Sequence, residues 1–196
     1  KSQNPLPSKK LKALTLRSII PSYRHPNTMD RAYSEKLNRE LSAASAEDIL
    51  SYLTRESSAS FCLSTSMGPE DQILTHMLAK LDPSIPIFTL DTGRMFPETY
   101  DLIHRTNQRY GIHIQIYFPD HHEVERMVGE KGINLFYESI ANRKECCFIR
   151  KILPLRRALS GMDAWVCGLR KEQSVTRENV QAVEWDDANG LVKVNP

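Results

Sequence analysis

Apolar and polar residues alternate along this chain in blocks that predict short buried strands and amphipathic helices. Five apolar runs have the length of a buried strand, at residues 59–63, 85–90, 112–118, 164–167 and 180–185. Before and between them, apolar positions at helical spacing predict helices at residues 30–41, 46–53, 69–81, 97–110 and 122–130. Strands that alternate with helices predict an α/β fold, in which helices flank both faces of a mostly parallel sheet.

Local signals mark the ends of these helices. Ser45 is a suitable N-cap for the second helix, and Pro69 suits the first turn of the third because its missing N–H costs nothing there. Gly111 is expected to end the fourth helix. The apolar face predicted for the third helix consists of Ile73, Met77, Leu78 and Leu81.

Length and composition predict one soluble domain. The chain has 196 residues, of which 40% are hydrophobic, enough to bury one substantial core. No apolar run approaches the roughly 20 residues of a membrane span, and the start has no signal-peptide core. Four cysteines in such a chain do not indicate a secreted disulfide scaffold. We therefore expect a cytoplasmic protein without membrane or nucleic-acid partners, which could form a homo-oligomer.

Residues 1–29 differ from the rest of the chain. The sequence opens on Lys1 rather than Met, and six Lys and Arg residues precede the first acid, Asp30. Such a leader is typical of the remnant of a transit peptide, which would indicate a plastid or another organelle, and equally of a disordered arm. A third possibility is that Met29 begins the domain. We expect residues 1–29 to lie outside a domain formed by residues 30–196.

Ligands of parallel α/β sheets bind at the carboxyl ends of the strands, so the loops there are candidate sites. The first, residues 64–71, combines hydroxyls with a glycine and a helix N-terminus, which can hold a phosphate or sulfate. Glu70 and Asp71 would repel an anion unless they point away, and an ordinary helix cap explains the same residues equally well. The candidate ligands in this loop are Ser64, Thr65, Ser66 and Gly68.

Two further loops carry polar or charged residues. The second can supply a carboxylate for a ribose hydroxyl or an adenine amine and a cation for phosphate, although its Asp-Thr-Gly is also common turn chemistry. Its residues are Asp91, Thr92, Gly93 and Arg94. The third, residues 168–174, holds two cations and two hydrogen-bonding side chains, and a solvated surface loop is its simpler interpretation. Those four residues are Arg170, Lys171, Gln173 and Ser174.

Two adjacent cysteines, Cys146 and Cys147, lie in a cationic stretch of the chain. Residues 143–157 include six cations and one acid, so this segment should attract anions. Nearby cations lower the pKa of a thiol and offset the charge of a thiolate-ligated cluster. The pair could be two core thiols, a strained vicinal disulfide or half of a four-thiolate metal site. Cys62 and Cys167 lie in predicted strands and are most simply core residues.

A helix through this segment would bring Arg150 and Lys151 close to Cys147 by three- and four-residue spacing. Pro154 must kink that helix or begin a new one. The core-facing stripe expected from the helical period is Phe148, Ile152, Leu155 and Leu159.

Several longer motifs occur in order between residues 59 and 196. They are LDTGR at 90–94, PETY at 97–100, KG at 131–132, LFY at 135–137, ECC at 145–147, IRK at 149–151, PL at 154–155, AL at 158–159 and AW at 164–165, followed by Gly168, Arg170 and QS at 173–174. Together they resemble assimilatory adenylyl-sulfate (APS) reductases. This family belongs with phosphoadenylyl-sulfate (PAPS) reductases and is related to ATP-pyrophosphatase folds.

The resemblance implies reduction of APS to sulfite and AMP by electrons from thioredoxin or a glutaredoxin-like donor. It implies that Cys146 and Cys147 are the first two ligands of a [4Fe–4S] cluster, and that Lys151 is the cation between cluster and substrate. The branch that uses PAPS usually lacks the cysteine pair, so the pair favours APS. Substrate contacts are implied for Arg150, Arg170 and Gln173, and a nucleotide pocket for the first two loops.

The sequence departs from the family pattern in two places. Met67 stands where many members have serine, so Ser64, Thr65 or Ser66 would have to supply that hydroxyl. The chain also reaches Pro196 without the distal Cys-x-x-Cys pair and the tail cysteine that attacks sulfur. We therefore expect a fragment of a longer enzyme that lacks its nucleophile. A PAPS reductase, an ATP-pyrophosphatase-like enzyme with structural cysteines and a non-catalytic adenine-nucleotide binding module remain alternatives.

Overall fold

A six-stranded sheet forms the centre of the fold in the computed structural model, which describes residues 29–55, 59–169 and 180–196. The strand order is β3-β2-β1-β4-β6-β5. Neighbouring strands are parallel up to β6, and β5 pairs with β6 in the antiparallel direction. The strands are β1 Phe61–Ser64, β2 Ile87–Leu90, β3 Ile114–Tyr117, β4 Ala164–Cys167, β5 Val183–Asp186 and β6 Leu191–Val194. The predicted mostly parallel sheet is confirmed.

Seven α-helices of the described residues surround this sheet. They are α1 Arg31–Leu41, α2 Ala46–Arg55, α3 Pro69–Leu81, α4 Pro97–Tyr110, α5 His121–Lys131, α6 Ile140–Cys147 and α7 Leu153–Ala158. A 3-10 helix, Leu135–Tyr137, precedes α6, and a π-turn, Phe148–Ile152, separates α6 from α7. None of these helices has the length and apolar character that a membrane crossing requires.

The five predicted strands all exist, and the strand at 164–167 has the predicted bounds. The others begin two or three residues later than predicted. β6 was not predicted; Lys193 interrupts the apolar residues of this short strand. It pairs with β4 on one side and β5 on the other, and so extends the sheet beyond the expected edge.

The predicted helix ends are confirmed by their hydrogen bonds and dihedral angles. Ser45 Oγ accepts the N–H of Asp48 at 3.2 Å at the start of α2. Pro69 occupies the first turn of α3. Gly111 ends α4 with a φ of 63°, a left-handed conformation that costs glycine little because it has no Cβ.

The buried face of α3 is rotated from the predicted one. Leu74, Thr75 and Leu78 are buried, whereas Ile73 is 55% exposed, so the prediction that Ile73 faces the core was wrong. Asp71 also lies on the buried face. The positions 71, 74, 75 and 78 follow the three- and four-residue spacing of one helix face.

The core is divided between the two faces of the sheet, because successive strand residues point to opposite sides. Leu63 of β1 belongs to the larger cluster, together with Leu78 of α3. Its neighbour Cys62 packs with Ala158 and Leu159 on the side of α7. A third, separate cluster lies around the cysteine segment and consists of Met127, Leu135, Cys146 and Ile149.

The rotation of α3 gives a direct test of the packing. Leu78→Ala should lower the free energy of unfolding by about 2–5 kcal/mol, because a wholly buried leucine leaves a cavity when truncated. Ile73→Ala on the same helix should change it by less than about 0.5 kcal/mol. Urea unfolding followed by circular dichroism measures both values. Similar losses in the two variants would contradict the observed orientation of α3.

Candidate nucleotide-binding site

The strand order reverses between β1 and β4. From β1 the chain continues outward to β2 and β3 on one side, whereas β4 lies on the other side of β1. Loops leaving the carboxyl ends of two such strands diverge and leave a crevice, where open α/β sheets bind their ligands. The three loops singled out from the sequence follow β1, β2 and β4, so the structure brings their starting points to this edge.

The loop after β1 is folded around the carboxylate of Asp71, which is 5% exposed. Its Oδ2 accepts the N–H and the hydroxyl of Ser66, both at 2.6 Å. Its Oδ1 accepts the N–H of Gly168 at 3.2 Å, which joins the loops after β1 and β4. Asp71 therefore points into the protein. Of the two acids that could repel an anion from this loop, Asp71 is thus directed away from it.

Gly168 allows the close approach of these two loops. A Cβ at this position would lie 2.3 Å from Asp71 Oδ1 and 3.2 Å from the backbone nitrogen of Asp71. Any side chain would therefore displace the loop that follows β1. The need for glycine here comes from the space between two loops rather than from a left-handed conformation.

Met67 occupies a strained position in the first loop, with a φ of 64°. Its side chain is buried, and its N–H donates to Thr65 Oγ1 at 2.9 Å. Thr65 is thus committed to the interior of the loop, whereas Ser66 is exposed and Ser64 is half-buried. Gly68, the N-cap of α3, makes no side-chain capping hydrogen bond. Glu70 Oε2 lies 3.5 Å from the point where a Cβ of Gly68 would stand, so a carboxylate already lies beside the positive end of the α3 dipole.

The loop after β2 is closed by Asp91, which is 2% exposed. Its Oδ1 accepts the N–H of Gly93 at 2.7 Å, and its Oδ2 accepts the hydroxyl of Tyr100. This side-chain hydrogen bond raises the pKa of Tyr100, with further contributions from desolvation and from the charge of Asp91. Both carboxylate oxygens of Asp91 are therefore occupied within the loop.

Arg94 is directed towards the 3-10 helix. Its Nη1 donates to the carbonyl of Ile133 at 2.9 Å, and its Nη2 to Asn134 Oδ1 at 3.3 Å. The guanidinium carbon lies 4.7 Å from the centre of the Phe136 ring. Arg94 thus connects the second loop to the segment that precedes the cysteine helix, and its predicted contact with phosphate stays a prediction.

The two adjacent cysteines end α6 as free thiols. Cys146 is 8% exposed and packs in the third cluster, whereas Cys147 is half-buried. An ion pair between Lys131 and Glu145 joins the end of α5 to α6. The segment therefore has its own packing and is not an extension of the main core.

The two cations that follow the cysteines both lie in the π-turn but differ in burial. Arg150 is 6% exposed, and its Nη1 donates to the carbonyl of Thr92 at 2.6 Å, whereas Lys151 is exposed. The predicted core stripe was wrong for Phe148, which is 43% exposed, while Ile149 is buried. A π-turn has a wider repeat than the α-helix, so the period on which that prediction rested does not hold here.

Cys146 and Cys147 supply half of the ligands that a [4Fe–4S] cluster needs. In residues 29–55, 59–169 and 180–196, no three His, Cys, Asp or Glu side chains lie close enough to hold a metal ion. Cys62 and Cys167 are buried in β1 and β4, and burial raises the pKa of each to about 12. These two thiols are core residues, as predicted, so a cluster would need two further ligands from elsewhere.

Two predicted substrate contacts, Arg170 and Gln173 of the third loop, lie outside the described residues. Residues 1–28 of the basic leader lie outside them as well. Conversely, the sequence did not predict the roles of three residues that hold the loops of the site together: Asp71, Tyr100 and Gly168. Tyr100 and Gly168 occur in the family motifs, but their roles depend on contacts between loops that no local pattern encodes.

A comparison with known protein families identifies the class of protein. Residues 60–196 match the phosphoadenosine phosphosulfate reductase domain, and the chain belongs to this family. The resemblance noted in the sequence is therefore confirmed.

Curated relatives carry the name adenosine 5'-phosphosulfate reductase. The protein of Allochromatium vinosum is 46% identical over 153 residues, which are 78% of this chain and 59% of the relative. That of Burkholderia cepacia is 47% identical over 132 residues, 67% of this chain and 53% of the relative. That of Pseudomonas aeruginosa is 38% identical over 189 residues, 93% and 70% of the two chains. The chain thus spans little more than half the length of the first two relatives.

A solved structure also resembles the described fold. The PAPS reductase of Candida auris, crystallised as a phosphate complex, matches with a TM-score of 0.70 and 25% identity, over 85% of this chain and 79% of that one. The predicted fold class, a mostly parallel α/β sheet flanked by helices, is confirmed, and it is the fold of a PAPS reductase.

The close approach of the first and third loops can be tested with two glycines. Gly168→Ala should destabilise the protein by about 1–3 kcal/mol, because the new methyl group would overlap the Asp71 carboxylate. Gly129→Ala, within α5 and with nothing near its Cβ, should be neutral or stabilise by up to about 1 kcal/mol. Thermal unfolding compares the two variants. An unaffected Gly168→Ala protein would contradict the observed contact.

The burial of the thiols predicts their reactivity in the metal-free, native chain. At pH 8 iodoacetamide should modify Cys147 first and spare Cys62 and Cys167. A thiol with a pKa of about 12 is a thiolate in about one molecule in ten thousand at this pH. Peptide mass spectrometry measures the modification, and the urea-unfolded chain, in which all four cysteines should react, is the control. Equal native rates for Cys62 and Cys147 would show that β1 is not buried as described.

Proposed function

We propose that the crevice binds APS and that this chain is the nucleotide-binding part of an APS reductase. The observation that carries the proposal is the contact between Arg150 and the carbonyl of Thr92, which attaches the cysteine segment to a loop of the crevice. The names of relatives that are 46% and 47% identical support APS as the substrate. The reaction would reduce APS to sulfite and AMP in sulfate assimilation.

Three features of the crevice suit the anionic part of APS. The N-terminus of α3 carries a partial positive charge, which an anion would share with the nearby Glu70 carboxylate, and Ser64 is half-buried at the end of β1. The hydroxyl of Ser66 donates to Asp71 and would have to leave that contact to donate to APS. Lys151 is exposed and forms no ion pair within the described residues. Its ammonium group can therefore move to a phosphosulfate without breaking a described contact. Arg170 and Gln173 are proposed as further substrate contacts.

The proposed chemistry transfers the sulfonate group of APS from a phosphate oxygen to a cysteine sulfur and then releases it as sulfite. A cysteine thiolate attacks the sulfur of APS, a sulfur–sulfur bond forms, the bond from sulfur to the phosphate oxygen breaks, and AMP leaves. A second thiol, on thioredoxin or a glutaredoxin-like donor, then attacks the cysteine sulfur, releases sulfite and leaves a disulfide. Cations beside the phosphate stabilise the charge that develops on the departing AMP.

None of the four cysteines in this sequence suits the attacking role. Cys62 and Cys167 are buried and protonated at neutral pH, because burial raises the pKa of each to about 12. Cys146 and Cys147 are proposed as two ligands of a [4Fe–4S] cluster. We therefore propose that the attacking thiolate belongs to a cysteine beyond residue 196.

By the family resemblance, the cysteine pair favours APS over PAPS as the substrate. A bound cluster would add a charged, polarisable group beside the cationic segment. Within this proposal, Cys146 and Cys147 hold it from the end of α6, while the exposed Lys151 lies four residues further on, next to Arg150. A PAPS reductase without a cluster is the second candidate, favoured by the PAPS reductase structure that shares this fold.

We also propose a cytoplasmic location for the protein. If residues 1–29 are the remnant of a transit peptide, the proposed location is a plastid or another organelle.

Calorimetric titration of the chain with APS and with PAPS tests the substrate. If the crevice is built for APS, PAPS should bind about tenfold more weakly, because a 3'-phosphate that meets no partner must be desolvated without compensation. Lys151→Ala should weaken APS binding about tenfold by removing a charge partner. The matched control is Lys80→Ala, which removes another exposed lysine at the opposite end of α3 from the crevice. Tighter binding of PAPS, or equal effects of both substitutions, would overturn the proposal.

The cluster and the activity are tested on the full-length gene product. Anaerobic purification should give a brown, iron-containing protein that releases sulfite from APS when thioredoxin is supplied, and Cys147→Ser should lose the iron. A colourless, iron-free product that turns over APS would contradict the proposed cluster. Binding of APS without any sulfite release would favour a nucleotide-binding module.

A further inference from the structure

Tyr100 lies outside the three candidate loops, in the first turn of α4, yet its hydroxyl reaches the loop after β2. It donates to Asp91 Oδ2. The ring is 41% exposed, so it contributes little to the core. The hydrogen bond to a buried carboxylate is therefore the main contact that Tyr100 makes with the site.

Asp91 transmits this contact to the turn that follows it. Its other oxygen accepts the N–H of Gly93 at 2.7 Å. Gly93 has a φ of 73°, which a side chain would strain, and a Cβ there would lie 3.0 Å from Nη1 of Arg150. The turn thus needs both a glycine and a carboxylate held in one orientation.

The carbonyl of Thr92, in the middle of this turn, accepts Nη1 of Arg150 at 2.6 Å. The Nε of Arg150 is buried without a hydrogen-bond partner among the described residues. Within the described residues, the hydrogen bond of Nη1 to the Thr92 carbonyl is therefore the contact that orients this guanidinium. A rotation of the turn would redirect the guanidinium, because its five donors form a rigid fork.

We propose that Tyr100 is a positioning residue of the substrate site. By donating to Asp91 it fixes the turn of residues 91–93, and through the Thr92 carbonyl it directs the guanidinium of Arg150 towards the phosphosulfate of APS. The assignment of the ligand rests on the proposed function. The chain of hydrogen bonds from Tyr100 to Arg150 does not.

Tyr100→Phe removes one oxygen atom and keeps the ring. Tyr137→Phe is the matched control, because Tyr137 is 75% exposed and lies in the 3-10 helix. Tyr100→Phe should weaken APS binding about tenfold in a calorimetric titration, because a turn and a guanidinium that are less fixed in the free protein must be ordered when the ligand binds. Tyr137→Phe should leave the affinity unchanged. Equal affinities of Tyr100→Phe and the unchanged chain would overturn the proposal.

A role through Arg150 is distinguished from a merely structural one by a double-mutant cycle. In an Arg150→Lys background, Tyr100→Phe should weaken APS binding by less than about twofold, because the fork that it directs is gone. The same tenfold loss in both backgrounds would show that Tyr100 acts without Arg150 and would contradict the proposal.

Hydrogen exchange gives a readout that needs no ligand. Tyr100→Phe should raise amide exchange several-fold in peptides covering residues 91–95, where the Gly93 N–H is held, and Tyr137→Phe should not. Unchanged exchange would overturn the positioning role whatever the affinities. If the unchanged chain bound no APS but the exchange rose as expected, the proposed function would fail while the hydrogen-bond chain stood.

Discussion

The site depends on a buried cation whose described partner is neutral. Arg150 is 6% exposed, and within the described part of the chain its hydrogen bond goes to a backbone carbonyl, while its Nε has no partner. Removing a guanidinium from water is costly unless charge and hydrogen bonds compensate for it. An anion in the crevice would supply both. The energetic cost of placing Arg150 here therefore favours an anionic ligand, in agreement with the proposed phosphosulfate.

Asp71 and Asp91 are buried carboxylates near the crevice that accept hydrogen bonds from the protein. Asp71 accepts the N–H and the hydroxyl of Ser66 and the N–H of Gly168, and Asp91 accepts the N–H of Gly93 and the hydroxyl of Tyr100. Each carboxylate is buried and stabilised by donors of its own or a neighbouring loop. Both therefore serve as internal anchors for the shape of the loops.

The sequence predicted the order of strands and helices well because burial of a short apolar run or a helix face is a local property. It could not predict the rotation of α3, since Asp71 is drawn inward by hydrogen bonds to Ser66 and to Gly168, which follows β4. Ile73 is consequently left in solvent. The π-turn was missed for a similar reason: a regular helical period was assumed through a segment where the packing of Ile149 and the contact of Arg150 set the backbone.

The position of the cysteine pair is explained by contacts on two sides of the segment. Cys146 and Ile149 pack in the third cluster against α5 and the 3-10 helix, and the ion pair of Lys131 with Glu145 holds the same side. Arg150 binds the loop after β2 from the other side of the π-turn. A regular helix would rotate these residues relative to one another, so the wider turn allows one segment to satisfy both sets of contacts. The packing of Cys146 and Ile149 and the hydrogen bond of Arg150 therefore hold the cysteine segment beside the loop after β2.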